Sequence, residues 1–93
     1  MRYQAKPSFH RTLKSLPDSR KSKVKEAISH LVQCLENREP PPGSLGLKLL
    51  RRPYWEIRST LADRIFFAWT GDLIEWLYIG SHDDIQRLLK RYR

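Results

Sequence analysis

The sequence predicts an α+β domain in which an N-terminal strand and a helical hairpin pack on a mainly antiparallel sheet of four to five strands, followed by a short C-terminal helix. Three observations carry this. Apolar residues recur at helical spacing as far as the run Pro40-Pro41-Pro42-Gly43, then give way to aromatic and β-branched stretches from Leu47 onward. Turn residues separate those stretches at Leu61-Ala62-Asp63 and Thr70-Gly71-Asp72. A capping signature, Ser81-His82-Asp83-Asp84, follows the last stretch. The 93 residues are enough for one compact domain, taken as 1–93, and too few for two.

Residues 2–5 are expected to form a short strand. Beyond Pro7, Phe9, Leu13 and Leu16 fall on one helical stripe until Pro17-Asp18 breaks it. Asp18 or Ser19 is expected to cap a second helix, in which Val24, Ile28, Leu31 and Leu35 repeat at helical spacing and Ala27 and Val32 widen the apolar face. Cys34 on that helix reads as a small buried filler. The three prolines are expected to end the helix, since proline cannot donate the backbone bond it needs. Strands are expected at 47–50, 54–60, 63–69 and 73–79, joined as an antiparallel meander with the helices on one sheet face. The last helix obeys the macrodipole, with Asp83 and Asp84 at its start and Arg87, Lys90 and Arg91 at its end.

Eighteen Lys and Arg against ten Asp and Glu leave a net charge of +8, a field that attracts nucleic acid, an anionic surface or an acidic partner. No apolar run approaches the roughly 18 residues of a transmembrane helix, and the N-terminus lacks a signal-peptide stretch. Cys34 is the single cysteine and has no metal-ligand spacing around it. The expectation is a cytoplasmic protein with no structural metal, no cofactor and no membrane partner.

The placement of the charge is more informative than its total. The second helix carries Arg20, Lys21, Lys23 and Lys25 in its first two turns, where the macrodipole disfavours each exposed cation by about 0.3–1 kcal/mol. A solvated face has this look, and so does a grip for phosphates or an acidic segment; the cluster as a whole favours binding. In the sheet, pairing apolar faces sets Ile57 opposite Ile65, Trp55 opposite Phe67 and therefore Arg58 opposite Arg64. Two like charges directly across a ladder repel, and a bound anion would remove that cost. Glu56 on the same face could relieve part of it in an exposed charge network. The register of 73–79 with 63–69 stays open, because 73–79 is apolar on both faces. His82, directly after the last strand, could share the sheet end of Arg58 and Arg64 and exchange protons near neutrality; His10 and His30 have no such company.

The segments Leu47-Lys48, Pro53-Tyr54-Trp55-Glu56-Ile57-Arg58, Asp63-Arg64-Ile65-Phe66-Phe67 and Gly80-Ser81-His82-Asp83-Asp84-Ile85 resemble the RelE/ParE superfamily of toxins from bacterial toxin–antitoxin pairs, over essentially the whole chain. The RelE-like branch implies a metal-free, ribosome-dependent endoribonuclease, an mRNA interferase, neutralised by a cognate antitoxin that is acidic and partly disordered when free. The resemblance places Arg64 and Arg58 at the reacting phosphate, His82 in proton transfer and Lys48, Arg51 and Arg52 among RNA-contacting cations. The basic helix start adds Arg20, Lys21 and Lys23 to that RNA-binding set. The YoeB-like glutamate base aligns near Leu45 and is missing, which leaves Glu56 as the possible base. An aromatic that several relatives carry shortly after the histidine is replaced by Ile85 and Gln86; Trp76, Tyr78 and Tyr92 are the aromatics that could substitute. The alternatives are a ParE-like DNA gyrase inhibitor, a catalytically inactive relative that binds antitoxin or RNA, and a plain nucleic-acid-binding module.

Overall fold

A computed structural model describes residues 1–92. The chain runs β1 (Arg2–Ala5), α1 (Pro7–Lys14), α2 (Asp18–Glu36), a 3-10 turn (Gly43–Leu45), β2 (Lys48–Arg51), β3 (Tyr54–Arg58), β4 (Arg64–Thr70), β5 (Leu73–Gly80) and α3 (His82–Leu89). The sheet order is β1-β5-β4-β3-β2, with β1 parallel to β5 and the other pairs antiparallel. The expected α+β class and meander are present, and every expected strand lies within two residues of its observed bounds.

The two ends of α2 differ from expectation. Neither Asp18 nor Ser19 caps it: Pro17 holds the N-cap position, no side chain accepts there, and the Pro17 carbonyl takes the amides of Arg20 and Lys21. The helix also stops at Glu36, before the prolines. Arg38 adopts φ 55°, so that its amide reaches the Leu35 carbonyl at 3.3 Å and the Glu39 amide reaches the Cys34 carbonyl at 2.8 Å. This is a Schellman closure built on arginine instead of glycine, so composition gave no sign of it.

The helices lie on both faces of the sheet, not on one. Phe9, Val24, Ala27 and Leu31 from α1 and α2 meet Ile57, Ile65, Phe67, Ile74, Trp76 and Ile79 on one side. On the other, Ile85 of α3, fully buried, packs with Phe66, Ala68 and Leu77, bordered by Tyr54, Tyr78 and Tyr92. Both faces of β4 and β5 are therefore covered, which is why these strands are apolar on both sides. A bulge settles the β4–β5 register: Phe66 pairs with Tyr78 and Phe67 with Trp76, leaving Leu77 as the extra residue. Trp76 and Ile79 can thereby both reach the core under α1 and α2, while Leu77 and Tyr78 face α3. Cys34 is buried, as expected of a filler.

Tyr3 ties β1 to the end of α2 by donating its hydroxyl to Glu36 Oε1 at 2.8 Å. Partial burial and that bond to a carboxylate push its pKa up to about 12. Among the described residues no helix is long and apolar enough to cross a membrane.

Candidate functional site

The β3–β4 register is the one that apolar matching requires: Trp55 opposite Phe67, Ile57 opposite Ile65 and Arg58 opposite Arg64. Arg64 is flanked on its other side by Gly80 of β5, and the chain then reaches His82, the first residue of α3, through the cap Ser81. Lys48 of β2 stands opposite Glu56. Strand alternation thus sends Lys48, Glu56, Arg58 and Arg64 to one face, and α3 adds His82 at its rim. Together with Gly46 these five side chains line a single cleft of about 270 Å³.

Within the cleft the repulsion between the two arginines is only partly relieved. Glu56, 5% exposed, brings Oε2 to 3.4 Å from Arg64 Nε, and the Arg64 guanidinium also donates to the carbonyls of Leu61 (3.2 Å) and Thr60 (3.4 Å) in the β3–β4 turn. Glu56 Oε1 and Arg64 Nε are buried with no hydrogen-bond partner. Three cations face one carboxylate, and a buried donor is left unfulfilled; an anionic oxygen would satisfy both. His82 is exposed at the positive end of α3. The start of that helix is fixed by a reciprocal capping box, Ser81 N to Asp84 Oδ2 at 2.9 Å and Asp84 N to Ser81 Oγ at 3.1 Å. The bond from the Ser81 amide, reinforced by the Ser81 hydroxyl and Arg87, holds the Asp84 carboxyl below the usual carboxylate range. Asp84 therefore serves the cap and leaves His82 unclaimed.

Arg58 depends on Gly46. That glycine has φ 60°, and a Cβ built on it would stand 2.4 Å from Arg58 Nε. Nothing in the composition marked Gly46 as part of the site, although Gly-Ser-Leu-Gly does signal a tight turn. Gly46→Ala is expected to lower stability by about 1–2 kcal/mol through the left-handed backbone. It should also displace the Arg58 guanidinium, read as a shifted Arg58 Nε–H signal by NMR. An unchanged signal with an unchanged denaturant midpoint would show that Arg58 is not propped there.

The other expected RNA-binding cations lie elsewhere. Arg20 makes a two-pronged ion pair with Asp63, Nε to Oδ2 at 2.9 Å and a terminal nitrogen to Oδ1 at 2.5 Å, and those bonds hold the Asp63 carboxyl below its usual range despite its burial. Its charge is paired with Asp63 while 45% of its side chain stays in solvent, and it does not line the cleft. Lys21 and Lys23 sit near Asp18 (3.9 Å) and Glu26 (3.6 Å) on α2 and do not line the cleft. Arg51 donates to the carbonyls of Leu89 (2.9 Å) and Tyr92, closing the end of α3, because it ends β2 and an irregularity after Leu49 sets it opposite Tyr54, on the side of the sheet that α3 covers. Arg52 borders Pro53, Trp55 and Trp69 in a separate pocket. Lys48 alone of that set joins Arg58 and Arg64.

Among the aromatics, Trp76 is core and Tyr92 packs edge-on against Tyr54 (centroids 5.0 Å apart) and Phe66 (5.5 Å). Tyr78 is half-buried on the Arg64 face beside Gly80, where a Cβ would come 3.1 Å from its ring. Among the described residues no group of three or more His, Cys, Asp or Glu side chains could hold a metal ion.

An antiparallel sheet with one parallel edge strand, two helices on one face and a short helix on the other is the fold that solved RelE/ParE-type toxins share. The solved structures that share it include the E. coli DinJ–YafQ complex, at 17% identity over 91% of this chain and 98% of that one with a TM-score of 0.72. The RelB–RelE antitoxin–toxin complex from Methanococcus jannaschii matches at 20% identity over 91% and 96%, with a TM-score of 0.69. The YoeB/ParE toxin from Agrobacterium tumefaciens matches at 20% identity over 88% and 99%, with a TM-score of 0.62. No protein-family model matches the sequence, and no curated protein does.

Proposed function

We propose that this chain is the toxin of a type II toxin–antitoxin pair and an endoribonuclease that cuts mRNA on the ribosome. The observation that carries the reading is the convergence of Lys48, Arg58, Arg64 and His82 on one cleft. In the reaction the ribose 2′-oxygen attacks the adjacent phosphorus. The O2′–P bond forms, the P–O5′ bond breaks, one proton leaves the 2′-hydroxyl and one reaches the 5′-oxygen, giving a cyclic phosphate and a 5′-hydroxyl end. Arg64 and Arg58 hold the charge that develops on the phosphoryl oxygens, and Lys48 extends that field. His82 moves a proton at the rim, and Glu56, paired with Arg64, is the carboxylate available as partner base. So open a cleft in so small a protein holds RNA loosely; the ribosome supplies the alignment, and the +8 charge suits docking on its RNA. The cognate antitoxin is acidic and covers the cationic face, a reading supported by the toxin–antitoxin complexes that share the fold.

The test places the purified protein on ribosomes holding a defined mRNA and maps the 5′ ends produced, with free mRNA as control. His82→Gln is expected to cut cleavage by about 10²–10⁴-fold with its thermal midpoint unchanged. Messages that stay intact on ribosomes while the protein still arrests growth would sink the nuclease reading and make gyrase the next target.

A further inference from the structure

We propose that a second cavity beside Arg58, formed by Ser44, Ser59, Thr60 and Leu61, receives the nucleotide next to the scissile phosphate and sets the sequence preference at that position. The inference rests on the nuclease reading and adds to it a site outside the catalytic cleft. The cavity measures about 330 Å³ and shares Arg58 with the cleft. An RNA strand whose phosphate lies between Arg58 and Arg64 therefore has its neighbouring residue at the mouth of this cavity. The same turn of chain, Gly43–Leu45 followed by Gly46, borders both spaces.

The lining fits a nucleobase better than a second phosphate. Among the described residues Arg58 is the one cation that lines it. Ser59 Oγ is buried with no hydrogen-bond partner, and Ser44 presents an exposed residue at the opening. A hydroxyl can both donate and accept, which suits the mixed edge of a base. Thr60 is not available for this: its hydroxyl oxygen takes the amides of Ala62 (3.1 Å) and Asp63 (3.0 Å) and so fixes the turn. Leu61, next in sequence, is 91% exposed. Its backbone is braced all the same, since its carbonyl accepts from Arg64 and Asp63 is clamped by Arg20. A large apolar side chain held into solvent on a braced turn offers an apolar contact to a base face, with the Arg58 guanidinium and the serines lining the same cavity. Unstacked bases in RNA are recognised by contact with an arginine plane together with edge hydrogen bonds, and Arg58 and the serines are the groups here that can supply them.

The experiment uses ribosomes programmed with mRNAs randomised at the A-site codon and its two neighbouring positions. It compares the 5′-end profiles of the wild type, Ser59→Ala and Leu61→Ser. Each substitution is expected to change the relative use of the four bases at one position by about 10-fold, the scale at which a lost edge bond or apolar contact discriminates substrates. Cleavage of the best remaining codon should stay within about 3-fold of wild type, because neither residue touches the reacting phosphate. Ser59→Ala removes an unpaired buried hydroxyl and Leu61→Ser alters an exposed tip, so both should fold, which circular dichroism checks. Unchanged base profiles with wild-type rates would overturn this proposal alone, as would a change only in affinity for the antitoxin. Absence of any cleavage by the wild type would overturn both this proposal and the nuclease reading.

Discussion

Arg64→Ala is expected to reduce ribosome-dependent cleavage by about 10²–10³-fold, the scale of removing one charge-stabilising donor from a transition state. Arg64 is the cation whose position is held from several sides: the Leu61 and Thr60 carbonyls hold its guanidinium and Glu56 lies 3.4 Å from its Nε. A cation already held in place loses little freedom when charge develops nearby. The same substitution strands Glu56, which is 5% exposed, so part of any loss could be structural. Assaying Arg64→Ala at temperatures where circular dichroism shows it fully folded separates the two effects. It should stay inactive there. Quantified 5′ ends from A-site codons give the rate, and a folded Arg64→Ala that cut at the wild-type rate would remove Arg64 from the chemistry.

Arg20→Ala is expected to destabilise the fold and lower its urea midpoint, because it leaves Asp63, 2% exposed, without its partner, while Arg20 itself keeps 45% of its side chain in solvent. The pair joins α2 to the β3–β4 turn across 43 residues of sequence, and it anchors the turn whose carbonyls hold Arg64. Its pH dependence follows from the depressed Asp63 carboxyl. The stabilisation is complete above the unfolded carboxylate value of about 4 and disappears as pH falls through the lower folded value. Urea unfolding should therefore show wild type more stable than Asp63→Asn at neutral pH, with the gap closing below about pH 4. A gap that stayed constant to pH 2 would mean that the stabilisation does not come from the charge.

The candidate site was legible where local alternation and one pairing rule decide geometry. Trp55 and Ile57 must share a face, as must Ile65, Phe67 and Trp69, and matching those faces leaves Arg58 opposite Arg64 without any knowledge of the rest. Ser81 and Asp84 announce a helix start, which carries His82 to the sheet end. The placement of the other expected cations was less legible, because adjacency in sequence is a poor guide to where a long cationic side chain ends. Arg51 lies three residues from Lys48 yet closes α3. Arg20, Lys21 and Lys23 share one helix start, but Arg20 alone pairs with a carboxylate outside its own helix.

The order of elements, the apolar faces of the strands and the pairing of Arg58 with Arg64 are properties the sequence alone determines, since they follow from periods of 3.6 and 2 and from matching apolar with apolar. Tertiary structure decided the side of the sheet on which α3 lies, the bulge that leaves Leu77 unpaired and the closure of α2 at Arg38. It also decided which of the expected cations line the cleft. Those outcomes depend on side chains from distant segments competing for the same carboxylates and carbonyls, a competition that begins only when the folded chain brings them together.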